Sequence, residues 1–199
     1  MDDNKRRAVW PAGTLLAPVP AALVSCGSTE RPNALTIGWT GIICSDPAMT
    51  YISVRPERYS HGLITQSGVF AVNLTTADMA RAVDFCGVRS GRDTDKIKEA
   101  GLHTEPAKTI DCPIISESPL TLECVVKKVE RLGSHDMFIA EISAVNVQER
   151  FIDKSGRLHM ESMNLMAYAH GEYFELGRRR GRFGFSVRKK DNKGRRRVR

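Results

Sequence analysis

Two arginines and a serine stand at the end of a strand-like stretch, residues 50–55. Arg58 follows Arg55 by three positions, and Ser60 lies where a short helix begins. Guanidinium forks, a hydroxyl and the free N–H groups of a helix start all match the oxygens of a phosphate. The run 53–60 therefore predicts a phosphate-bearing ligand at a strand end. The alternative is a pair of surface arginines beside a turn, with Ser60 as a plain N-cap.

A second cluster surrounds the tryptophan of the run 33–41. Small and hydroxyl residues alternate there, so Thr36, Gly38 and Thr40 would share one face of a strand and Trp39 the other. A surface of small residues and exposed backbone suits a flat aromatic ring. The alternative is a barrel strand with a core tryptophan.

A third cluster occupies residues 86–96, where two glycines and several basic side chains precede a helix start. This pattern is typical of a loop that closes over a ligand. It also fits a solvated loop with no ligand.

The elements that must position these clusters are mostly strands. No alternation of strand and helix is visible, so an antiparallel barrel with helical insertions fits better than a doubly wound parallel sheet. There is no glycine-rich fingerprint of a dinucleotide fold or a P-loop. The predicted strands are Ala21–Cys26, Leu35–Cys44, Thr50–Arg55, Val69–Leu74, Leu120–Arg131 and Met137–Val147, the last two forming a hairpin. The predicted helices are Ser60–Ser67 ending at Gly68, one from Thr76 or Asp78 to about Phe85, and Asp93–Gly101.

Composition limits the class of protein. A chain of 199 residues forms one domain, or one domain and a tail. The five cysteines are scattered and never spaced as CxxC, which argues against a disulfide framework and against a metal site. Reduced thiols, the lack of an apolar run of ~20 residues and a polar start predict a cytoplasmic protein without a membrane span.

Charge is concentrated at the C-terminus. The stretch 178–199 has 12 Lys or Arg and one acid, so it carries +11, whereas the whole chain carries +7 and the remainder −4. The stretch 191–199 is interpreted as a disordered, solvated tail. A remote alternative is phosphate neutralisation on a nucleic acid, but nucleic acid is not the expected partner because no aromatic side chains interleave the basic ones beyond Lys189.

Taken in order, the motifs resemble the flavin reductase-like family of FMN-binding split-barrel proteins, and within it the flavoredoxin-type branch. The resemblance covers about residues 14–190. The motifs are Asn33-x-x-Thr36-x-x-Trp39-Thr40-Gly41, Asp46-Pro47, Ser53-x-Arg55-Pro56-x-Arg58-Tyr59-Ser60, Phe70–Leu74, Ser90-Gly91-Arg92-Asp93-x-Asp95-Lys96, Tyr168–Gly177 and Gly181–Val187.

The resemblance implies a mainly β protein with short helices, built as a six-stranded antiparallel Greek-key split β-barrel. The domain would occupy residues 14–190, after an N-terminal extension at 1–13. The resemblance also implies a homodimer, with FMN bound noncovalently near the dimer interface.

It further implies the residues that bind the cofactor. The segment 36–41 would border the isoalloxazine ring, and Asn73 would offer polar contacts near the ring or the ribityl chain. The phosphate end would be held by Arg55, Arg58, Tyr59 and Ser60, with help from Lys96. The implied set is Thr36, Gly38, Trp39, Thr40, Gly41, Ser53, Arg55, Arg58, Tyr59, Ser60, Asn73 and Lys96.

The implied function is redox chemistry carried by FMN, with no catalytic side chain and no metal. The protein would be an NAD(P)H-dependent flavin reductase, a flavoredoxin-like electron carrier that meets a redox protein, or a flavoprotein that only binds FMN. The segment Gly133-Ser134-His135 is similar to a Gly-x-His element of reductase relatives, in which the histidine is linked to nicotinamide use. The alternative is that His135 is a polar residue of the hairpin turn. His170 either approaches the flavin or is structural.

Overall fold

The computed structural model describes residues 6–187, so the predicted tail at 191–199 lies outside the described residues. Strands dominate, as predicted, and the helices are short. The strands are β1 Val19–Pro20, β2 Ala22–Gly27, β3 Pro32–Ile37, β4 Thr40–Ser45, β5 Ala48–Val54, β6 Val69–Leu74, β7 Thr104–Pro106, β8 Pro113–Ile115, β9 Leu120–Arg131, β10 Asp136–Val147, β11 Met166–Ala169 and β12 Glu172–Glu175. The α-helices are α1 Tyr59–Ser67, α2 Ala80–Val88 and α3 Lys96–Glu99, and short 3-10 turns cover 77–79, 149–151, 160–162 and 185–187.

One antiparallel sheet of seven strands organises the domain. Its order is β3-β2-β6-β9-β10-β5-β4. The predicted hairpin of the two long strands is confirmed as β9 and β10, which pair from Leu120 with Val147 to Arg131 with Asp136. Two smaller sheets, β1-β11-β12 and β7-β8, complete the strands of residues 6–187.

The sheet encloses an apolar interior, which is formed by alternate, inward-facing residues of its strands. Ala22, Val24 and Cys26 of β2 face the same cluster as Phe70 of β6 and Phe138 of β10, and these five side chains have no exposed surface. Side chains of β3 and β5 meet in this cluster although their strands lie near opposite ends of the sheet order. The sheet is therefore curled into a barrel, in which truncation of a buried Phe to Ala would cost about 3–5 kcal/mol.

Helices cover the outside of β2 and β3, so most residues of these strands are buried on both faces of the sheet. Leu23 and Ala34 point outward into a second cluster with Val83 and Cys86 of α2 and Ile97, the first residue after Lys96 in α3. Strands buried on both faces lose the apolar–polar alternation. The two helices are thereby fixed against the strand that leads into the segment 36–39.

Helix α1 follows β5 in the chain and packs against β2, β3 and β6. Ile64 is fully buried in the interior cluster, and the helix ends at Gly68, whose φ of 71° is the left-handed conformation that glycine adopts without strain. The predicted helix end is confirmed. Ser60 is not the N-cap, because Arg58 occupies that position and no side chain caps the helix.

The main correction to the predicted fold concerns the run Leu35–Cys44. It is not one strand but two, β3 and β4, which lie at opposite ends of the sheet order. Gly38 and Trp39 carry the chain across the gap, where the backbone N–H of Ser53 donates to the carbonyl of Trp39 at 3.0 Å. The sheet therefore has seven strands where six were expected.

The predicted helix after the β6 strand is confirmed in place but starts differently. A 3-10 turn at 77–79 precedes α2, and Thr76 makes no side-chain capping bond. In contrast, Asp95 caps α3 by accepting from the N–H of Lys98 at 3.1 Å. Among residues 6–187, no helix is long and apolar enough to cross a membrane.

Candidate functional site

A cavity of about 530 Å³ opens where β5 passes into α1. We call it the cationic cavity because five basic side chains and one carboxylate line it. The lining residues are Leu35, Arg55, Glu57, Arg58, Tyr59, Ser60, Arg89, Ser90, Gly91, Arg92 and Lys96. Five of the residues predicted to hold a phosphate are among them, and the structure brings them together from two separate parts of the sequence.

The turn between β5 and α1 fixes two of the arginines. The N–H of Arg58 donates to the carbonyl of Arg55 at 3.0 Å, which closes the turn. The guanidinium of Arg58 donates to the carbonyl of Gly87 at 3.2 Å, and that of Arg55 lies 3.6 Å from the carboxylate of Glu57. The first contact ties the turn to the end of α2, so both sides of the cavity are held together.

Ser60 lies at the floor of the same cavity and is almost completely buried. The amide of Asn33 donates to its hydroxyl oxygen at 2.7 Å and lies 3.5 Å from the thiol of Cys26. This contact joins α1 to β3 and β2 beneath the cavity. Asn33 thus positions Ser60, a predicted ligand-binding residue. The sequence motif alone could not show this role of Asn33.

Lys96 is the buried cation of the cavity, with 3% of its surface exposed. Its ammonium group donates to the carbonyl of Cys86 at 3.0 Å. Burial lowers the pKa of Lys96, the thiols of Cys86 and Cys26 oppose that shift, and Arg58 adds to it. A bound anion would stabilise the charged form of this lysine.

A central cavity of about 150 Å³ continues from the cationic cavity. It shares Arg55 and Arg58 with it, and its other wall is the crossing segment. The lining residues are Leu35, Thr36, Ile37, Gly38, Trp39, Ser53, Val54, Arg55, Arg58 and His135. Four more predicted residues, Thr36, Gly38, Trp39 and Ser53, are therefore next to the phosphate-binding candidates.

His135 closes the central cavity from the β9–β10 turn. Its ring centroid lies 4.5 Å from that of Trp39, with the planes tilted by 42°. Burial and the charge of Arg55 lower the pKa of His135, with a smaller effect from Arg58 and an opposing one from Glu57. These surroundings favour the neutral form of the imidazole. The carboxylate of the neighbouring Asp136 accepts a hydrogen bond from Nε2 of His61 in α1 at 2.8 Å, which ties this turn to the helix of the cationic cavity.

A third cavity, of about 330 Å³, lies on the other side of the segment 36–39. We call it the aromatic cavity. It is lined by Thr36, Ile37, Gly38, Trp39, Asp84, Gly87, Val88, Tyr168, Gly171 and Tyr173. The hydroxyl of Tyr173 donates to the carboxylate of Asp84 at 3.3 Å. Burial, followed by the charge of Asp84, raises the pKa of Tyr173 to about 12.

Three predicted residues do not reach these cavities. Thr40 donates its hydroxyl to the carbonyl of Tyr51 at 2.6 Å, and Gly41 packs against the ring of the same tyrosine. Asn73 is fully buried in the barrel wall. Its amide donates to the carbonyl of Leu23 and the hydroxyl of Ser25, both at 2.9 Å, and its oxygen accepts from Ile115 and Thr121, also at 2.9 Å. The structure thus leaves Asn73 no polar atom to offer a ligand.

Other residues reach the cavities although they were not predicted as ligand-binding. Arg89 and Arg92 flank the cationic cavity, and the basic, glycine-containing cluster 86–96 was the signal for them. Nothing in the sequence indicated that Asp84 would line a cavity, because a single acidic residue on a helix is common. His170 adopts a positive φ of 49° at the tip of the β11–β12 hairpin, and only its neighbour Gly171 lines the aromatic cavity. Residues 6–187 contain no cluster of side chains suited to a metal ion.

Comparison with known proteins identifies the fold. The family of flavin reductase like domains matches residues 15–177, which is most of the chain. The chain belongs to the flavin reductase-like family. Its structure also matches flavoredoxin of Desulfovibrio vulgaris (Miyazaki F) with a TM-score of 0.85 and 27% identity, over 92% of this chain and 100% of that one. The predicted family and its flavoredoxin-type branch are confirmed.

Two further relatives of this flavin reductase-like chain extend the comparison. A protein of Shewanella frigidimarina with a split barrel domain matches with a TM-score of 0.75 at 18% identity, over 84% of this chain and 86% of that one, which confirms the predicted split-barrel fold. The NADH-dependent FMN reductase AsuE2 of Streptomyces nodosus subsp. asukaensis is 25% identical over 134 residues, 67% of this chain and 71% of that protein.

Proposed function

We propose that this flavin reductase-like protein binds FMN noncovalently, with the phosphate in the cationic cavity and the ring system along the central cavity. The observation that supports this most directly is the junction of the two cavities at Arg55 and Arg58. A phosphate monoester carries a charge of about −1.5 to −2 at pH 7 and accepts bidentate bonds from arginine. Both arginines, the buried hydroxyl of Ser60 and the ammonium of Lys96 suit that group.

The wall of the central cavity suits a planar ring. Gly38 and Trp39 form the chain crossing, so backbone and an aromatic face are both presented to the cavity. Trp39 is 42% exposed, which leaves ring surface for a ligand to cover. The imidazole of His135 packs against Trp39, and its lowered pKa favours the uncharged form beside the ring. The donor set and the shape therefore fit FMN.

When bound, FMN supplies the redox chemistry, because it can accept and release electrons singly or in pairs. The chain's own residues bind and orient it. The guanidinium groups would hold its phosphate end and Trp39 would pack on its ring system, and the chemistry requires no side-chain nucleophile. The proposed activity is that of an oxidoreductase that passes electrons from NAD(P)H through FMN to an acceptor.

The test starts from the absorption spectrum of the purified protein, before and after anaerobic mixing with NADH or NADPH in a stopped-flow instrument. We expect the bands of oxidised flavin, and their loss on mixing with a nucleotide. A colourless protein that takes up no added FMN would overturn the binding proposal. Bound flavin that neither nucleotide bleaches would overturn the reductase activity alone.

A second candidate function is that of an electron carrier, supported by the similarity to flavoredoxin over nearly the whole chain. Such a carrier receives electrons from a redox protein. It would be bleached by a reduced ferredoxin-type donor but not by either nucleotide. A protein that binds FMN and reacts with neither kind of donor would be a binding-only flavoprotein.

We also propose that the protein acts as a homodimer in the cytoplasm. Support comes from β4, the last strand of the sheet order, which exposes Ile42 to 66% and Ile43 to 49%. Exposed apolar side chains on an edge strand favour contact with another chain. Light scattering after size-exclusion chromatography should give twice the monomer mass of 22.1 kDa. A monomer at micromolar concentration would contradict the dimer.

A further inference from the structure

A nearly buried hydrogen bond links a histidine of α1 to the first residue of β10. Nε2 of His61 donates to the carboxylate of Asp136 at 2.8 Å, and the two side chains are 16% and 11% exposed. The ring of His61 also meets that of Phe138 edge to face, with centroids 5.1 Å apart, and Phe138 is fully buried in the barrel interior. A hydrogen bond to a charged group is stronger away from water, so this contact, the His61–Asp136 bridge, holds both side chains in one geometry.

The other contacts between a histidine and a carboxylate in residues 6–187 are more open to water. His103 bonds to Glu117 with 80% of its own side chain exposed, and His159 bonds to Asp153 and Glu161, which are 40% and 42% exposed. Exposed pairs of this kind contribute little to structure. None of the five residues lines the cationic, central or aromatic cavity. They therefore provide matched controls for the bridge.

The bridge joins the two elements that border the proposed flavin site. His61 follows Ser60 in the first turn of α1, and Asp136 follows His135 at the start of β10. Ser60 lines the cationic cavity and His135 lines the central cavity. One contact thus connects the phosphate end of the site with its ring end.

Asp136 and His135 face opposite ways from one short stretch of chain, as successive side chains of an extended segment do. Asp136 pairs with Val54 of β5 and reaches α1. His135 turns to Trp39, with the two ring centroids 4.5 Å apart. The position of Asp136 therefore sets the direction of the imidazole.

The remaining contacts of His135 are internal to its turn. Its one side-chain hydrogen bond within residues 6–187 is with the exposed hydroxyl of Ser134, across 2.9 Å. The turn is closed by the N–H of Leu132, which donates to the carbonyl of His135 at 2.9 Å. Neither contact reaches α1, so neither fixes the imidazole relative to that helix.

We propose that His61 and Asp136 are positioning residues, whose hydrogen bond holds His135 in place on the wall of the central cavity. The bridge also keeps this wall at a fixed distance from the phosphate-binding residues of α1. A ligand that occupies both cavities at once needs that distance. The two residues act through their neighbours, because neither lines one of the three cavities. The effect on FMN rests on the proposed flavin site.

The first test needs no flavin, because it detects the contact between His135 and Trp39. Trp10 is the other of the two tryptophans, so Trp10→Phe in every variant leaves Trp39 as the only indole. An imidazolium in contact with an indole quenches its fluorescence. The emission of the flavin-free protein should therefore fall as the pH is lowered and His135 takes up a proton, and His135→Gln should abolish this quenching.

The charges around His135 decide which part of the titration is compared. They are Arg55, Glu57 and Arg58 of the β5–α1 turn and the adjacent Asp136. Burial, followed by the charge of Arg55, lowers the pKa of His135, so quenching should set in below its ordinary value of 6.5. Removing the carboxylate of Asp136 removes an anion and lowers this pKa further. The amplitude at full protonation, and not the midpoint, therefore reports the position of the imidazole.

Breaking the bridge should change that amplitude. Asp136→Ala should lose most of the quenching, because the imidazole is no longer held on the indole. Asp136→Asn, whose amide oxygen can still accept from His61, should retain most of it. Glu117→Ala, which breaks an exposed histidine contact, is the matched control and should be quenched as wild type is.

The second test measures FMN affinity by fluorescence titration in a double-mutant cycle. Asp136→Ala and His61→Phe should each raise the dissociation constant of FMN about tenfold, the scale of one lost charge-assisted hydrogen bond. The double variant should bind FMN no more weakly than the weaker single variant, since both changes break the same contact. If Asp136→Ala does not fold, His61→Phe, which keeps a ring beside Phe138, supplies both measurements.

Three results would overturn the positioning role. They are an absence of pH-dependent quenching in wild type, quenching that Asp136→Ala and His61→Phe both retain, and effects on FMN affinity that add in the double variant. Failure of the proposed function is distinguishable, because it appears as absence of FMN uptake in wild type. The fluorescence of the flavin-free protein still tests the bridge in that case.

Discussion

The cationic cavity and the aromatic cavity lie at the two ends of one row, with the central cavity between them, and offer opposite chemistry to a ligand. The first presents arginines and a lysine, and the second presents Trp39, two tyrosines and the carboxylate of Asp84. A molecule with an anionic end and a planar end can lie along this row in only one direction. The contrast therefore orients a ligand as well as binding it.

Burial acts on both cavities in the same way, with opposite consequences. It lowers the pKa of Lys96 and raises that of Tyr173, because in each case the neutral form is favoured away from water. An anion placed beside the lysine would stabilise its charged form. The tyrosine is neutral at any physiological pH and needs none. The basic lining of one cavity thus suits a phosphate, and the lining of the other suits an uncharged surface.

The largest expected effect comes from removing the arginines at the junction of the cationic and central cavities. Arg55→Ala with Arg58→Ala should raise the dissociation constant of FMN by about 100-fold, since each lost charge-assisted bond contributes roughly 1.5 kcal/mol or more. The melting temperature should fall by no more than about 3 °C, because both side chains are exposed. Fluorescence titration and calorimetry measure the two quantities.

The control for that variant is Arg81→Ala with Arg131→Ala, which removes the same charge from exposed positions outside both cavities. This control distinguishes a loss of FMN affinity caused by lost contacts from one caused by the change in net charge. Full flavin occupancy of the junction variant after dialysis would refute the phosphate assignment.

A smaller effect is expected at the shared wall. Trp39→Ala removes ring surface from both the central and the aromatic cavity, and should weaken FMN binding about tenfold, in line with roughly 1.5 kcal/mol for an aromatic contact. Trp39→Phe keeps a ring at this position and should restore most of the affinity. If both variants bind FMN as wild type does, the ring does not lie along this wall.

The aromatic cavity should respond separately. Asp84→Asn removes the carboxylate that accepts from Tyr173, so the pKa of that tyrosine should fall from about 12 towards its ordinary value, with burial still holding it above. Phenolate absorbance during an alkaline titration measures the change, and Asp78→Asn is the exposed control. FMN affinity should not change. A parallel loss of FMN affinity would show that the two cavities do not act separately.

The smallest effect concerns His135, which borders the central cavity. Arg55→Ala should raise the pKa of His135 towards its ordinary value, because a nearby cation disfavours the imidazolium form, while burial continues to lower it. Binding of a phosphate next to Arg55 should shift it in the same direction. Titration of the imidazole signals by NMR follows both changes, with Arg131→Ala as control. An unchanged pKa would mean that His135 does not sense the cationic cavity.

Prediction from sequence worked best where the signal was local. The strand before the proline at 56, the helix that ends at Gly68 and the long hairpin all depend on neighbouring residues, and all are confirmed. It failed at Gly38–Trp39. The residues before and after this dipeptide both have a strand-like pattern. Only their different partners, β2 for β3 and β5 for β4, show that they form two strands.

The same limit applied to side chains. Asn73 was assigned a polar role, which it has, but its partners Leu23, Ser25, Ile115 and Thr121 come from three distant parts of the chain. No pattern near position 73 shows that these groups will use all its hydrogen-bonding capacity. A polar side chain in a strand is equally compatible with a ligand and with a buried network.

The sequence by itself determined the family, the strand-rich character of the domain and the chemistry of the run 53–60, because side-chain type and short-range spacing are local properties. The tertiary structure decided which cations meet. Arg89 and Lys96 join Arg55 only because α2 and α3 pack on the outer face of β2 and β3. It also decided that Trp39 is a wall between two cavities and not a core residue. When the barrel closes, residues 38 and 39 must connect β3 and β4, which lie at opposite ends of the sheet order. The exposure of Trp39 therefore depends on the arrangement of the whole sheet and not on its neighbours in sequence.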